Sequence, residues 1–156
     1  MATLVRKATL NDLPVLLDFE QGLIEAERPM DPTIKDGKIG YYDISGFING
    51  DNSDVYVVEK DGEIVASGYA LIKPDRHYLK HEVQGHLGFM FVPEHHRGNG
   101  YNSLIVDALK AWCKERGVYE LRLTVYEQNP GAIRAYEKVG FERHLITMRL
   151  DLRDEG

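Results

Sequence analysis

Arg97, Gly98, Asn99 and Gly100 stand between a run that reads as a strand and a run that reads as a helix, and that placement makes an anion site. Before them, Leu87, Phe89 and Phe91 alternate with His86, Gly88 and Met90, a period of two with one strongly apolar face. After them, Leu104, Ile105, Ala108, Leu109 and Trp112 recur at helical spacing, so a helix begins near Tyr101 or Asn102. The first turn of a helix presents unpaired N–H groups and the positive end of its dipole, and glycines ahead of it let a phosphate approach the backbone. A phosphorylated cofactor fits such a loop. The same glycines also serve a plain strand-to-helix turn that needs positive φ.

Other reactive side chains are less telling. The single cysteine, Cys113, falls on the same expected helix, which excludes an intrachain disulfide and suits a buried structural residue better than a nucleophile. Among the six histidines, His77 and His81 have i, i+4 spacing but follow the turn residues Pro74 and Asp75, and His95 and His96 are adjacent. Neither pair shows a metal-ligand spacing, so no metal is expected and these read as solvated loop histidines.

The elements that must position the loop can be traced along the chain. Residues 4–8 read as a strand, and Thr9 with Asp12 as a capping box for a helix that carries Leu13, Leu16, Leu17, Phe19 and Leu23. Residues 28–54 are irregular, with a short helix expected over 42–48. Strands over 55–59 and 64–72 are joined by Asp61-Gly62, a tight-hairpin dipeptide, and a third over 83–92 completes an antiparallel meander. A helix over 101–116, a strand over 121–126, a helix over 130–139 and a final strand over 145–152 follow, and strand-helix-strand order implies a parallel crossover. The fold class is α/β or α+β, a mixed sheet with about four helices packed on it. At 156 residues the chain suits a single domain, 1–156. With 43% hydrophobic and 28% charged residues it is neither disordered nor membrane-spanning, and the polar N-terminal residues give no secretory leader, so a cytoplasmic location is expected. A formal charge of −6 argues against general nucleic-acid binding.

The order of elements, with Arg97, Gly98 and Gly100 and then Asn129, Ala132, Tyr136, Gly140 and Phe141, resembles the GNAT superfamily of acetyl-CoA-dependent N-acyltransferases over nearly the whole chain. The later signature, Asn, Ala, Tyr and Gly-Phe at fixed spacing, is met at every position; in the earlier one Asn102 stands where a glycine or alanine is usual. The resemblance implies a largely antiparallel sheet of about six or seven strands, splayed between the fourth and fifth. It implies that acetyl-CoA is held by the backbone of Phe91 and Val92 and by the loop and first turn Arg97, Gly98, Asn99, Gly100, Tyr101, Asn102 and Ser103, while Asn129 and Ala132 meet the pantetheine arm. It further implies that the Met90 N–H polarises the thioester carbonyl and that Tyr136 protonates the departing thiolate. A phenol is protonated at neutral pH and suits that task. Asn129, just before Pro130, also suits a helix cap, and Tyr136 also suits packing on a sheet.

The acceptor amine must lose a proton before it attacks. His86, on the same side of its strand as Gly88 and Met90 by simple alternation, is the first candidate base, with a satisfied sheet histidine as the other reading; Glu127, at the end of the following strand, is the second candidate. Glu27, Tyr41 and Tyr42 are candidate acceptor contacts, since carboxylates and aromatics suit a cationic amine, though they equally suit a solvated surface. The implied function is transfer of acetyl from acetyl-CoA to a primary amine, small-molecule or peptide, by direct attack in a ternary complex. A short segment after Phe141 is expected to leave the acceptor side open to a polypeptide or to a second copy in a homodimer. A non-catalytic acyl-CoA sensor and a protein-interaction scaffold on the same fold are the alternatives.

Overall fold

The computed structural model describes residues 2–155 and groups the chain into two compact units, Met1–Thr124 and Val125–Gly156. The first unit holds one five-stranded sheet in the order β1 (Thr3–Lys7), β2 (Ser53–Lys60), β3 (Glu63–Pro74), β4 (Val83–Phe91), β5 (Leu121–Arg122). Neighbours from β1 to β4 are antiparallel, and β4 to β5 is parallel. The β2–β3 turn is Asp61-Gly62, both at positive φ, as a tight hairpin requires.

Helices α1 (Leu13–Glu27) and α2 (Ile44–Asn49) cover one face of the sheet, and α3 (Tyr101–Glu115) covers the other. Successive residues of β3 show the division: a Cβ on Gly68 would meet Ile105 and Leu109 of α3, whereas the next side chain, Tyr69, lies 4.6 Å from the Phe47 ring of α2. The α1/α2 side buries Leu16, Phe19, Ile44, Val55, Val57 and Phe89. Ile105, Val106, Leu109, Trp112 and Cys113 supply the buried stripe of α3. Asp54 accepts a 2.6 Å bond from the Trp112 indole, fixing α3 to β2.

Asp12 accepts from the Thr9 N–H at 2.8 Å and from both arms of Arg6 at 2.8 and 2.9 Å, locking the end of β1 to the start of α1. The irregular segment between α1 and α2 is held by side chains of α1. Glu20 accepts from the Tyr41 and Tyr42 N–H groups at 2.9 and 2.8 Å, Gln21 donates to the Ile39 carbonyl at 2.7 Å, and Arg28 donates to the Lys35 and Gly37 carbonyls. Lacking secondary structure, this backbone obtains its partners from a neighbouring helix.

Two expectations are corrected. The sheet has five strands among the described residues, not six or seven, because residues 145–150 form no strand: their unit contains no neighbouring strand to pair with, and alternation alone does not satisfy a backbone. The strand expected over 121–126 is only Leu121–Arg122, since pairing with β4 stops at Gly85↔Leu121 and His86↔Arg122. The second unit contains α4 (Pro130–Lys138) and a closing 3₁₀ turn, Leu152–Glu155.

Candidate active site

Beyond His86, β4 has no partner on its β5 side, so the backbone edge from Leu87 to Phe91 is open there among the described residues of the first unit. Leu121 and Arg122 pair with Gly85 and His86 at one end of β4 only.

The same stretch of β4 carries a bulge. Ser67 pairs with Phe91 and Tyr69 with Gly88, so three steps along β4 match two along β3, and Phe89 takes φ 55° to absorb the extra residue. Side chains change face at this point. A Cβ on Gly88 would strike the Tyr69 ring, and Phe89, 5.4 Å from the Tyr42 ring, sits on the same side, whereas Met90 turns to the α3 side, its sulfur 2.8 Å from where a Gly68 Cβ would stand. Simple alternation, which put Met90 on the face of His86 and Gly88, is therefore wrong beyond the bulge. Phe91 returns to the α1 side, its ring 5.2 Å from Phe19 and packed against Gly22.

His86 faces the α1/α2 side, 6.0 Å from the Tyr69 ring. From there a run of aromatic contacts leads outward: Tyr69 to Tyr42 at 5.3 Å and Tyr42 to Tyr41 at 5.6 Å, with Tyr41 acting on the pKa of Glu27. The fold thus collects four sequence-level candidates, Glu27, Tyr41, Tyr42 and His86, from α1, the irregular segment and β4. Burial, and secondarily Lys73, holds the His86 pKa below the ordinary imidazole range, so the ring is neutral at neutral pH. Burial pushes the Glu27 carboxyl up, opposed by the neighbouring Tyr41. Burial, with smaller effects from Tyr69 and Glu27, raises the Tyr42 phenol, which stays protonated.

Two members of this cluster escaped the sequence reading. Tyr69 lies in an ordinary strand pattern, and only its contacts with Phe47, Tyr42 and His86 give it a place. Glu20, buried to 3% exposure, makes two backbone bonds to Tyr41 and Tyr42 that are long-range and leave no trace in local spacing.

The loop before α3 has the form that an anion needs. Gly98 and Gly100 take φ 84° and 79°, and no atom lies within 4 Å of a Cβ built on either, so the backbone is open to approach. Gly100 is the cap of α3 and no side chain caps it, which leaves the first-turn N–H groups available. Arg97 is exposed, its Nε bonded to the Val92 carbonyl at 3.0 Å, and Asn99 ties the loop to the His96 carbonyl at 2.9 Å. Tyr101 is buried, so only its backbone can serve a ligand; Asn102 is half-buried and Ser103 exposed in the same turn. A pyrophosphate fits this loop, and an extended arm with amide groups fits the open edge of β4. Cys113 is fully buried, which pushes its thiol up and away from nucleophilic use.

In the second unit, Asn129 caps α4, its side chain accepting from the Ala132 N–H at 3.2 Å. Tyr136 packs edge-on against Phe141 at 6.0 Å, and Gly140, at φ 108°, lets the Phe141 N–H return to the Tyr136 carbonyl at 3.0 Å. Glu127 is not at a strand end; it lies in the turn closed by the Asn129 N–H on the Tyr126 carbonyl.

The family model described as the Acetyltransferase (GNAT) family matches residues 20–141. A Bacillus subtilis (strain 168) relative, the uncharacterised N-acetyltransferase YobR, is 35% identical over 57 residues, 36% of this chain; the match spans 23% of that protein's length. Solved structures share the fold. The tetramutant of BH1408 from Bacillus halodurans superposes with a TM-score of 0.85 at 24% identity, covering 96% of this chain and 99% of the other. A predicted acetyltransferase of Clostridium acetobutylicum, solved with acetyl-CoA, gives 0.73 at 19% identity, covering 98% of each chain. Glucosamine-6-phosphate N-acetyltransferase from Arabidopsis thaliana gives 0.69 at 22% identity, with 97% and 99% covered.

Proposed function

The chain belongs to the GNAT acetyltransferase family, and from that footing we propose that it moves an acetyl group from acetyl-CoA to a cationic primary amine by direct attack. The observation that carries the reading is the cluster of Glu27, Tyr41, Tyr42 and Tyr69 leading to a neutral, half-buried His86 on the strand whose edge opens just beyond it.

Acetyl-CoA, when bound, supplies the activated acyl group. Backbone N–H groups of the loop and first turn, Arg97 to Ser103, hold its pyrophosphate, aided by the Arg97 charge. The open edge at Phe91 and Val92 aligns the pantetheine arm as an added strand would be aligned, and the Met90 N–H stabilises charge on the acyl oxygen. The aromatic walls and Glu27 hold the ammonium group of the acceptor. His86 removes the proton that makes the amine a nucleophile; its depressed pKa leaves it unprotonated and ready to accept. Asn129 and Ala132 on the pantetheine and Tyr136 as the acid for the departing thiolate are assigned from the family signature.

The deciding experiment measures coenzyme A release with polyamines, amino acids, aminoglycosides and peptide amino termini. Turnover confined to cationic primary amines is the expected result. Tight acetyl-CoA binding without turnover on any of them would favour a sensor, and no acetyl-CoA binding would favour a scaffold.

A further inference from the structure

The first turn of β3 and the segment after β4 meet at a place with no part in that chemistry. Beyond the last β3–β4 pair, Ser67↔Phe91, the chain leaves β4 and its His95 and His96 come beside Glu63 at the start of β3. Glu94–His96 form a single 3₁₀ turn, closed by the His96 N–H on the Pro93 carbonyl at 2.9 Å, and it holds the two neighbouring imidazoles with centroids 4.1 Å apart and planes tilted by 42°. Both rings reach the same carboxylate oxygen: His96 Nε2 lies 2.9 Å and His95 Nε2 4.0 Å from Glu63 Oε2. One ligand atom from each residue falls within 4.8 Å of the other two.

We propose that Glu63, His95 and His96 form a binding site for a divalent transition metal of the zinc, cobalt or nickel type. Two imidazole nitrogens and one carboxylate oxygen are the donors such ions favour, whereas calcium and magnesium take oxygen ligands. A tetrahedral ion with bonds near 2.0–2.1 Å separates its ligand atoms by about 3.3 Å, a spacing that lies between the two distances observed to Glu63. An ion pair with His96 accounts for one ring only; a shared ion accounts for two adjacent ring nitrogens near one oxygen. The remaining positions open to solvent, where His95 and Glu63 are exposed, so water completes the coordination. The adjoining depression adds to the attraction, since Asp12, Asp18, Glu59 and Glu63 on its wall outnumber Arg6. The adjacent pair of histidines gives no metal pattern by spacing, because the third ligand comes from 33 residues before His96.

The bound ion ties the β2–β3 hairpin to the residue immediately before Arg97. Its consequence is a stiffer approach to the glycine loop, readable as slower amide exchange over residues 94–100 when zinc is added.

The test is calorimetric titration of the full, untagged chain with zinc chloride, with cobalt absorption spectra as a second probe. Wild type binds one zinc ion; H95Q and H96Q each weaken it by about 100-fold and E63Q by at least about tenfold, while H77Q leaves it unchanged. Unaltered thermal melts of the variants in the absence of metal exclude misfolding, since all three side chains lie at the surface or in part-exposed positions. Zinc affinity in H95Q/H96Q within twofold of wild type overturns the proposal, as does a wild-type chain that binds no more tightly than millimolar.

Discussion

At the scale of single residues, His86 and Tyr136 separate two proton transfers. His86→Gln removes the base and should lower kcat/KM by about 10²- to 10⁴-fold. Because burial holds the imidazole pKa down, the acid limb of the kcat/KM profile lies below the ordinary histidine value near 6.5, and the variant should lose that limb. A profile unchanged in shape would reassign the base. Tyr136→Phe should lower kcat at saturating acetyl-CoA and leave its affinity nearly intact, as separate kinetic and calorimetric titrations check. Gly100→Val forces a branched side chain into φ 79° at the cap of α3, at a cost of about 1–3 kcal/mol, and should weaken acetyl-CoA binding while kcat extrapolated to saturation changes less.

Among the elements, the irregular segment before α2 depends on α1 more than on its own sequence. Glu20→Ala leaves two buried-side backbone N–H groups without their charged acceptor, a loss of about 2–4 kcal/mol by denaturant unfolding if the segment stays folded. If the segment instead releases, global stability changes little and the acceptor KM rises, since Tyr41 and Tyr42 lose their placement. This is where sequence legibility stopped. The three-strand meander, the glycine loop and α3 follow from patterns within a few residues, and each lies where its pattern predicts. Glu20 and the Phe89 bulge depend on partners about 20 residues away in the chain, and nothing in local periodicity marks them. The short β5 failed for a related reason: Leu123 and Thr124 have strand-like composition, yet strand identity is a property of pairing, and no pairing with β4 forms beyond His86↔Arg122.

For the molecule as a whole, pH acts on stability through groups far apart in the sheet. Arg6 holds the Asp12 carboxyl below its ordinary range, so the folded chain resists protonating it; that stability is present above the normal carboxylate pKa and is lost as pH falls through it and below. His86 acts in the same direction at higher pH. Its folded pKa is depressed, the unfolded chain takes up the proton first, and stability declines as pH falls below about 6.5. Thermal melts across pH should therefore show two steps of destabilisation on acidification, the upper one absent in H86F and the lower one reduced in R6M. No described helix is long and apolar enough to cross a membrane.

The extra residue in β4 has a practical bearing on redesign. Counting by twos from Phe91 back along the strand leads to the wrong wall once Phe89 is passed, because Gly88 and Phe89 share a side and the alternation breaks between them. Libraries meant to reshape the acceptor pocket should vary Tyr69, His86 and Phe89 together and leave Met90 alone, since it is a spacer for α3 and its substitution reaches the pocket only by shifting the helix behind the sheet.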